Sequence, residues 1–320
     1  MSLTSRRLLR PEAKLNWNVV LNQIDLNSLD SRQLAAIGDG ALRSGAFPLA
    51  QQVYALLAKR VPGYGHISAR LGLARTPGRR TSMMLDILEL AEKTGGELAF
   101  VTEGLATWLK TLPFHEDARF MELAERHADL LPIANWHWNL NTALWAARQA
   151  LRLPGDFVEL GVFKGHTTLF LAEYLQFEQQ ARSWWLYDTF EGVPDDQANS
   201  QGWREMSARA YQGTFSVEEV RQRFAHFQNI RVIKGRVPEV LSEECPERIA
   251  FLHVDLNNAA AEIGALDALF DRVCTGGVIL LDDFAWAISR AQYDAETAWF
   301  SARGLCVLAL PTGQGLFIKS

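Results

Sequence analysis

The chain has 320 residues, a net charge of −5, 22% charged and 48% hydrophobic residues. That is enough apolar sequence for a large α/β domain with a smaller companion. Acids and bases are interspersed, which excludes the basic face a nucleic-acid partner needs. No apolar run is long enough to span a bilayer. The basic opening MSLTSRRLLRPEAKLNW lacks the apolar core of a signal peptide, so no membrane contact and a cytoplasmic location are expected. Cys245, Cys274 and Cys306 are widely separated and offer neither a metal spacing nor a disulfide framework, as expected of reduced thiols.

Residues 1–112 read as a helical domain. In SRQLAAIGDGALRSGAFPLAQQVYALLAKRVP, Gly38, Gly45, Ala50, Tyr54 and Pro62 fall at the offsets of a tetratricopeptide-type (TPR-like) helix pair. The small residues let two helices approach, and Tyr54 fills the gap beside them. GHISARLGLA, from Gly65, begins a second unit that RTPGRR interrupts. One repeat is not an array, so a hairpin that merely resembles a repeat stays open as a reading. TSMMLDILELAEKTGGELAFVTEGLATWLKTL continues the helical spacing, broken at Gly95-Gly96. This half has no cluster of acids or histidines. Its expected role is self-association as a homo-oligomer, contact with a protein partner, or delivery of a substrate.

Residues 113–320 read as the second domain. FHEDARFMELAERHADLL and NTALWAARQALRL are amphipathic helices. At Pro154-Gly155 the pattern changes. Strands are expected near Phe157–Gly161, Ser183–Asp188, Ile230–Lys234, Ile249–Asp255, Gly277–Leu281, Cys306–Leu310 and Leu316–Lys319. Helices fall between them, near His166–Phe177, Val217–Phe227, Glu262–Arg272 and Ser289–Arg303. Such alternation predicts a parallel, Rossmann-like sheet. The last two strands are joined by PTGQG alone, too short for a crossover helix, so they form an antiparallel hairpin.

Open parallel sheets bind ligands beyond the carboxyl ends of their strands. Acids collect there. Glu159 lies late in the first strand, Asp188 ends the second, Asp255 the fourth, and Asp282 and Asp283 the fifth. A buried carboxylate is costly without a partner, so several at one rim point to a ligand. The loop FVELGVFKGHTT carries Gly161 and Gly165 but not the G-x-G-x-x-G that admits a pyrophosphate. It suits a ligand with a cationic amino acid end and no phosphate. Asp188 is placed to accept from ribose hydroxyls. S-adenosylmethionine has these features.

GDFVELGVFKGHTT, YDTFEGVP, VIKGRVPEVL, HVDL, GGVILLDDF and PTGQGLFIK resemble stretches of class I S-adenosylmethionine-dependent methyltransferases, and more closely the macrocin O-methyltransferase (TylF-type) family. The resemblance covers about half the chain, from Pro154 onward. It implies a methyltransferase sheet and O-methylation of a hydroxyl on a sugar, a glycosylated metabolite or a related small molecule. It implies cofactor binding at Glu159, Gly161, Gly165, Asp188, Phe190 and Gly235, and a divalent cation such as Mg²⁺ on Asp255, Asp282 and Asp283. Three carboxylates suit a hard cation, which lowers the pKa of a bound hydroxyl while a base such as Asp255 takes its proton. Asp283 has a second reading, as a cap for the following helix. The sequence departs from the family in DLNNAAAE, where a tyrosine-containing helix start is usual, and in lacking a histidine base between Pro194 and Phe215.

Other residues are ambiguous in the sequence. His253, two residues before Asp255, faces either the metal and the chemistry or the core. His166 and Thr167, after Gly165, either bind the cofactor or begin a solvated helix. Trp136, His137 and Trp138 either roof the site or pack the domain. The polar stretch after Glu191 reads as a lid offering Arg204, Arg209 and Tyr211 to the acceptor. Two other functions fit the pattern less well: an NAD(P)-dependent oxidoreductase, and a helical-repeat binding protein with a degenerate sensor domain.

Overall fold

The structure, a computed structural model, describes residues 25–61, 65–75, 77–78, 81–93, 98–102, 104–108, 110–131, 133, 135–197, 205, 211 and 215–320. The basic N-terminal stretch, Pro62, Gly95-Gly96, Arg204 and Arg209 lie outside the described residues. The described residues fall into two compact units. One lies within Met1–Leu112 with Pro132–Asn135, the other within Pro113–Leu131 with Trp136–Ser320. Among the described residues no helix is long and apolar enough to cross a membrane.

In the first unit, helix α1 (Ser31–Ser44) starts from a capping box between Asp30 and Gln33 and stops at Gly45, whose φ of 79° is left-handed. Helix α2 (Phe47–Arg60) follows with a proline in its first turn. A Cβ on Gly38 would come within 2.6 Å of the Tyr54 ring, so glycine is what lets α1 and α2 close on each other. Tyr54 is fully buried there. Helices α3 (Gly65–Arg75) and α4 (Thr81–Lys93) extend the same core.

The helical reading then fails. Leu98–Thr102 and Leu105–Trp108 are antiparallel strands β1 and β2 of a hairpin. The segments LAFVT and LATW favour strand through aromatic and β-branched residues, and Gly104, at φ 78°, supplies the turn. Asn135 donates to the Val101 carbonyl at 2.9 Å and ties the hairpin down.

The second unit begins with helices α5 (Pro113–Glu116), α6 (Ala118–Arg126) and α7 (His137–Ala150). A seven-stranded sheet follows. Its strands are β3 (Asp156–Leu160), β4 (Trp184–Asp188), β5 (Ile230–Lys234), β6 (Ile249–Val254), β7 (Val273–Leu281), β8 (Leu308–Ala309) and β9 (Gly315–Ile318). Helices α8 (His166–Leu175), α9 (Val217–Arg223), α10 (Ala259–Leu269) and α11 (Arg290–Ser301) intervene. The order is β5-β4-β3-β6-β7-β9-β8. The first five strands are parallel, and β9 runs antiparallel to both β7 and β8, as the short PTGQG connection requires.

The chain winds from β3 outward to β5, then returns to β6 on the other side of β3. That reversal opens a crevice beyond the ends of β3 and β6, where open sheets bind ligands. The register puts Glu159 beside His253 and Val254 beside Leu281. The acids that follow Val254 and Leu281 therefore emerge side by side. Strands β4 and β6 are buried throughout, which is why they read as unbroken apolar runs.

Candidate active site

Glycine shapes the loop that leaves β3. At Gly161 φ is 85°, and a Cβ there would lie 1.8 Å from the Asp255 carbonyl oxygen. No side chain fits that crossing. Gly165 is also left-handed, at φ 81°, with the Phe224 ring 2.7 Å from its hypothetical Cβ. Asp188, at the end of β4, pins this loop. Its carboxylate accepts from the backbone N–H groups of Val162 and Phe163 at 2.8 Å each and of Phe190 at 2.7 Å. The Tyr211 hydroxyl donates to it at 3.3 Å. Burial raises the Asp188 carboxyl, and these donors pull it back. Gly235 donates its N–H to the Asp188 carbonyl at 3.0 Å and has no room for a side chain against Val240. Phe190 is buried at a left-handed φ of 55°.

Glu159 is buried and doubly engaged. Thr168 donates its hydroxyl to one oxygen, and Nδ1 of His253 lies 3.0 Å from the other. Thr168, rather than its half-buried neighbour Thr167, is the threonine that reaches the acid. On the far side of the ring, Nε2 of His253 lies 3.6 Å from Asp282, within ion-pair reach but too long for a hydrogen bond. Burial alone would lower the His253 pKa, but Asp282 and Glu159 outweigh it and push it up to about 10. His253 thus joins the end of β3 to the end of β7, with both ring nitrogens turned to acids that favour its protonated form.

Asp255 and Asp282 meet as the register requires, with the Asp282 N–H donating to the Val254 carbonyl at 2.9 Å. Burial, then Asp282 and Asp283, push the Asp255 carboxyl well above the usual carboxylate range. Burial and Asp282 push Asp283 up to about 7. The helix that Asp283 was free to cap begins only at Arg290, after Ser289. Asn257 donates to Asp255 at 2.8 Å, and Asn258 caps α10 by accepting from Ala261. The unusual DLNN turn therefore orders its own acid and helix. Gln314, from the β8–β9 hairpin, donates to Asp282 at 2.9 Å and accepts from Thr312 at 3.0 Å.

Two more acids lie behind these. Glu262 on α10 and Glu296 on α11 are 2% and 1% exposed. Burial raises both, Glu262 well above its usual range with Glu296 adding to the effect, and Glu296 up to about 8 with Asp283 adding to it. Gln292 donates to Glu262 at 3.0 Å. No sequence spacing announced these residues, because they come from different helices.

The remaining sequence candidates separate. His166 opens α8 and is buried, which drives its pKa down to about 4, and among the described residues its Nδ1 has no hydrogen-bond partner. His137 and Trp138 pack on Phe114, with ring centroids 5.4 and 5.1 Å away. Trp136 instead lies nearly parallel to Trp286 of the loop after β7. Tyr211 and Phe215 both lie edge-on to Phe163, at 5.1 and 5.0 Å.

Among the described residues, no three Asp, Glu, His or Cys side chains converge closely enough to hold a metal ion. In kind the donors still suit a hard cation. Three half-buried carboxylates lie on adjacent strand ends, and Asp282 raises both Asp255 and Asp283.

The sheet order and the crevice between β3 and β6 define an α/β methyltransferase fold. The O-methyltransferase NovP shares it with a TM-score of 0.50 and 22% identity, over 57% of this chain and 79% of NovP. The macrocin-O-methyltransferase (TylF) family matches residues 139–298, half of the sequence, and the chain belongs to that family. It is 31% identical over 141 residues to an 8-demethyl-8-(2,3-dimethoxy-alpha-L-rhamnosyl)-tetracenomycin-C 4'-O-methyltransferase of Streptomyces olivaceus, covering 42% of this chain and 54% of that one. It is 26% identical over 159 residues to a mycinamicin III 3''-O-methyltransferase of Micromonospora griseorubida, covering 45% of this chain and 62% of that one. The match thus spans little more than half the length of these curated relatives.

Proposed function

We propose that this chain transfers a methyl group from S-adenosylmethionine to a hydroxyl of a sugar, a glycosylated metabolite or a related small molecule. The observation that carries the reading is the acid rim: Asp255, Asp282 and Asp283 emerge together from β6 and β7 beside the glycine loop, inside the stretch that matches the family. When bound, S-adenosylmethionine supplies a methyl group on a cationic sulfur, open to in-line attack by an oxygen. The crevice residues fit such a cofactor. Gly161 and Gly165 let the loop turn tightly against the Asp255 backbone and the Phe224 ring, and His166 holds a buried nitrogen at the head of α8 with no partner among the described residues. Asp188 serves the cofactor by holding the loop in shape, and Glu159 by anchoring Thr168 and His253 beneath it. Asp188 accepts three backbone N–H groups, so it shapes the loop as well as facing the ribose.

Asp255, Asp282 and Asp283 would hold Mg²⁺ or a similar ion. Such an ion would orient the acceptor hydroxyl and make it more acidic. Asp255 receives the hydroxyl proton in this reading. His253 positions Asp282 and Glu159 and is not itself the base, because it is 2% exposed and its Nδ1 is engaged by Glu159. The helical first unit, whose α1–α2 pair has tetratricopeptide-type spacing, acts in association or acceptor delivery.

Calorimetric titration should show binding of S-adenosylmethionine and none of NADH, and Glu159→Ala and Asp188→Ala should each weaken it. Excess EDTA should stop transfer to a glycosylated acceptor without loosening the cofactor, and Mg²⁺ should restore it. NADH binding in place of S-adenosylmethionine would refute the reaction. Full turnover in EDTA would remove the metal and leave the rest.

A further inference from the structure

The loop after β7 is apolar where a polar rim would be expected. Residues 284–289 read FAWAIS, and Ala285, Ala287 and Ile288 are exposed, Ile288 to 65%. Half-buried Trp286 lies at its centre. Its ring lies nearly parallel to that of Trp136, which precedes α7, but displaced from it rather than face to face, with centroids 6.3 Å apart and planes 16° from parallel.

The backbone fixes this indole. The Trp286 N–H reaches toward the Asp283 carbonyl at 3.4 Å, and the Ser289 N–H donates to the Trp286 carbonyl at 2.9 Å. The Ala285 N–H donates to the Gly313 carbonyl at 2.7 Å. A Cβ on Gly313 would lie 2.2 Å from Nε1 of Trp286 and 2.6 Å from both Cδ1 and Cε2. Those near-equal distances mean that the glycine lies flat against the five-membered ring. Only glycine fits, and its φ of 90° is left-handed as well. The next residue, Gln314, bonds to Asp282. One hairpin therefore sets both the indole and a carboxylate of the rim.

We propose that Trp136 and Trp286 form the acceptor platform, against which the sugar ring lies while its hydroxyl points to Asp255, Asp282 and Asp283. The proposal rests on the O-methyl transfer reading and deepens it. A sugar ring, above all a deoxy sugar, has a face of C–H groups, and the negative face of an aromatic ring attracts such groups. Small-molecule sites commonly pair an apolar wall with a few polar groups that fix orientation. The carboxylates draw any hydroxyl. The indole wall decides which ring, and which edge of it, is presented. Because Gly313 and the loop bonds hold Trp286 in place, little side-chain freedom is lost on binding.

The test uses the full chain with p-nitrophenyl α-L-rhamnoside, methyl α-L-rhamnoside and ring-free glycerol as probes. Saturation-transfer NMR and quenching of tryptophan fluorescence report binding. Radiolabelled S-adenosylmethionine reports transfer. Both rhamnosides should bind and glycerol should not. Trp286→Ala and Trp136→Ala should each weaken rhamnoside binding about tenfold, roughly the loss of one aromatic contact. Trp286→Phe should retain most of it, and cofactor affinity should stay unchanged in all three. The Trp136 variant leaves the Gly313 hairpin untouched, so it stands if Trp286→Ala fails to fold. Equal rhamnoside affinity in both alanine variants, or no rhamnoside binding by the unaltered chain, overturns the platform. Rhamnoside binding that depends on the tryptophans, with no methyl transfer, sinks the reaction and not the platform. Transfer with an unchanged KM in both alanine variants does the opposite.

Discussion

The two units bury charge in opposite ways. In the first, Arg70 is 4% exposed and is met on both sides, by Asp39 at 2.9 Å and by Glu92 at 2.8 and 2.9 Å. The Tyr54 hydroxyl also donates to Asp39. In the second, burial raises Asp255, Asp283, Glu262 and Glu296, neighbouring acids add to the effect in each, and among the described residues His253 opposes it at Asp255 and Asp283. Buried charge is tolerated when it is paired and bonded. The first cluster meets that condition by itself. The second keeps an excess of acid that only a bound cation or retained protons can relieve.

That contrast can be broken at either end. The largest effect should come from Asp282→Asn, which removes a rim charge and keeps its shape. Methyl transfer to a glycosylated acceptor should fall about 100- to 1,000-fold, as when one transition-state contact is lost, while the melting temperature holds or rises. A collapse in stability with activity retained would make the rim structural. Next, Arg70→Met should cost about 1.5–3 kcal/mol by urea unfolding, the worth of its charge-assisted bonds to Asp39 and Glu92. S-adenosylmethionine affinity should not change. An unaltered unfolding midpoint would show that the first cluster ties nothing.

Asp188→Asn should weaken S-adenosylmethionine binding by about 1.5–3 kcal/mol, the worth of charge-assisted bonds to the loop. Hydrogen exchange at Val162 and Phe163 should quicken in parallel. Weaker binding with no change in exchange would leave Asp188 only direct contact with the cofactor.

The smallest effect concerns Glu296. Its folded pKa of about 8 lies above the ordinary 4.5, so the folded chain holds a proton that the unfolded chain releases between those values. Stability should therefore fall as pH rises through that window. Glu296→Gln should be the more stable protein near pH 8, by a few kcal/mol at most, given about 1.4 kcal/mol per unit of displacement. The difference should vanish below pH 4.5. A difference independent of pH would mean that Glu296 is not held protonated.

The sequence by itself determined the alternation of strand and helix, the closing hairpin and the rim of acids. These are local facts: strand length, apolar runs, and the position of an acid one residue past a strand. The close approach of α1 and α2 was legible too, because Gly38 and Tyr54 have complementary sizes at helical spacing. Local pattern misled at Leu98–Trp108, where the Gly104 turn and cross-strand pairing overrode an apparent helical period. Only the tertiary structure decided what each acid faces. Glu159 and His253 are 94 residues apart and meet through parallel register. Glu262 and Glu296 meet across two helices, and Trp136 reaches Trp286 over 150 positions of chain. A sequence records which groups carry charge or an aromatic face. Their partners, and hence their protonation and their freedom to act, are set by which strand ends and loops the sheet brings within a few ångströms of each other.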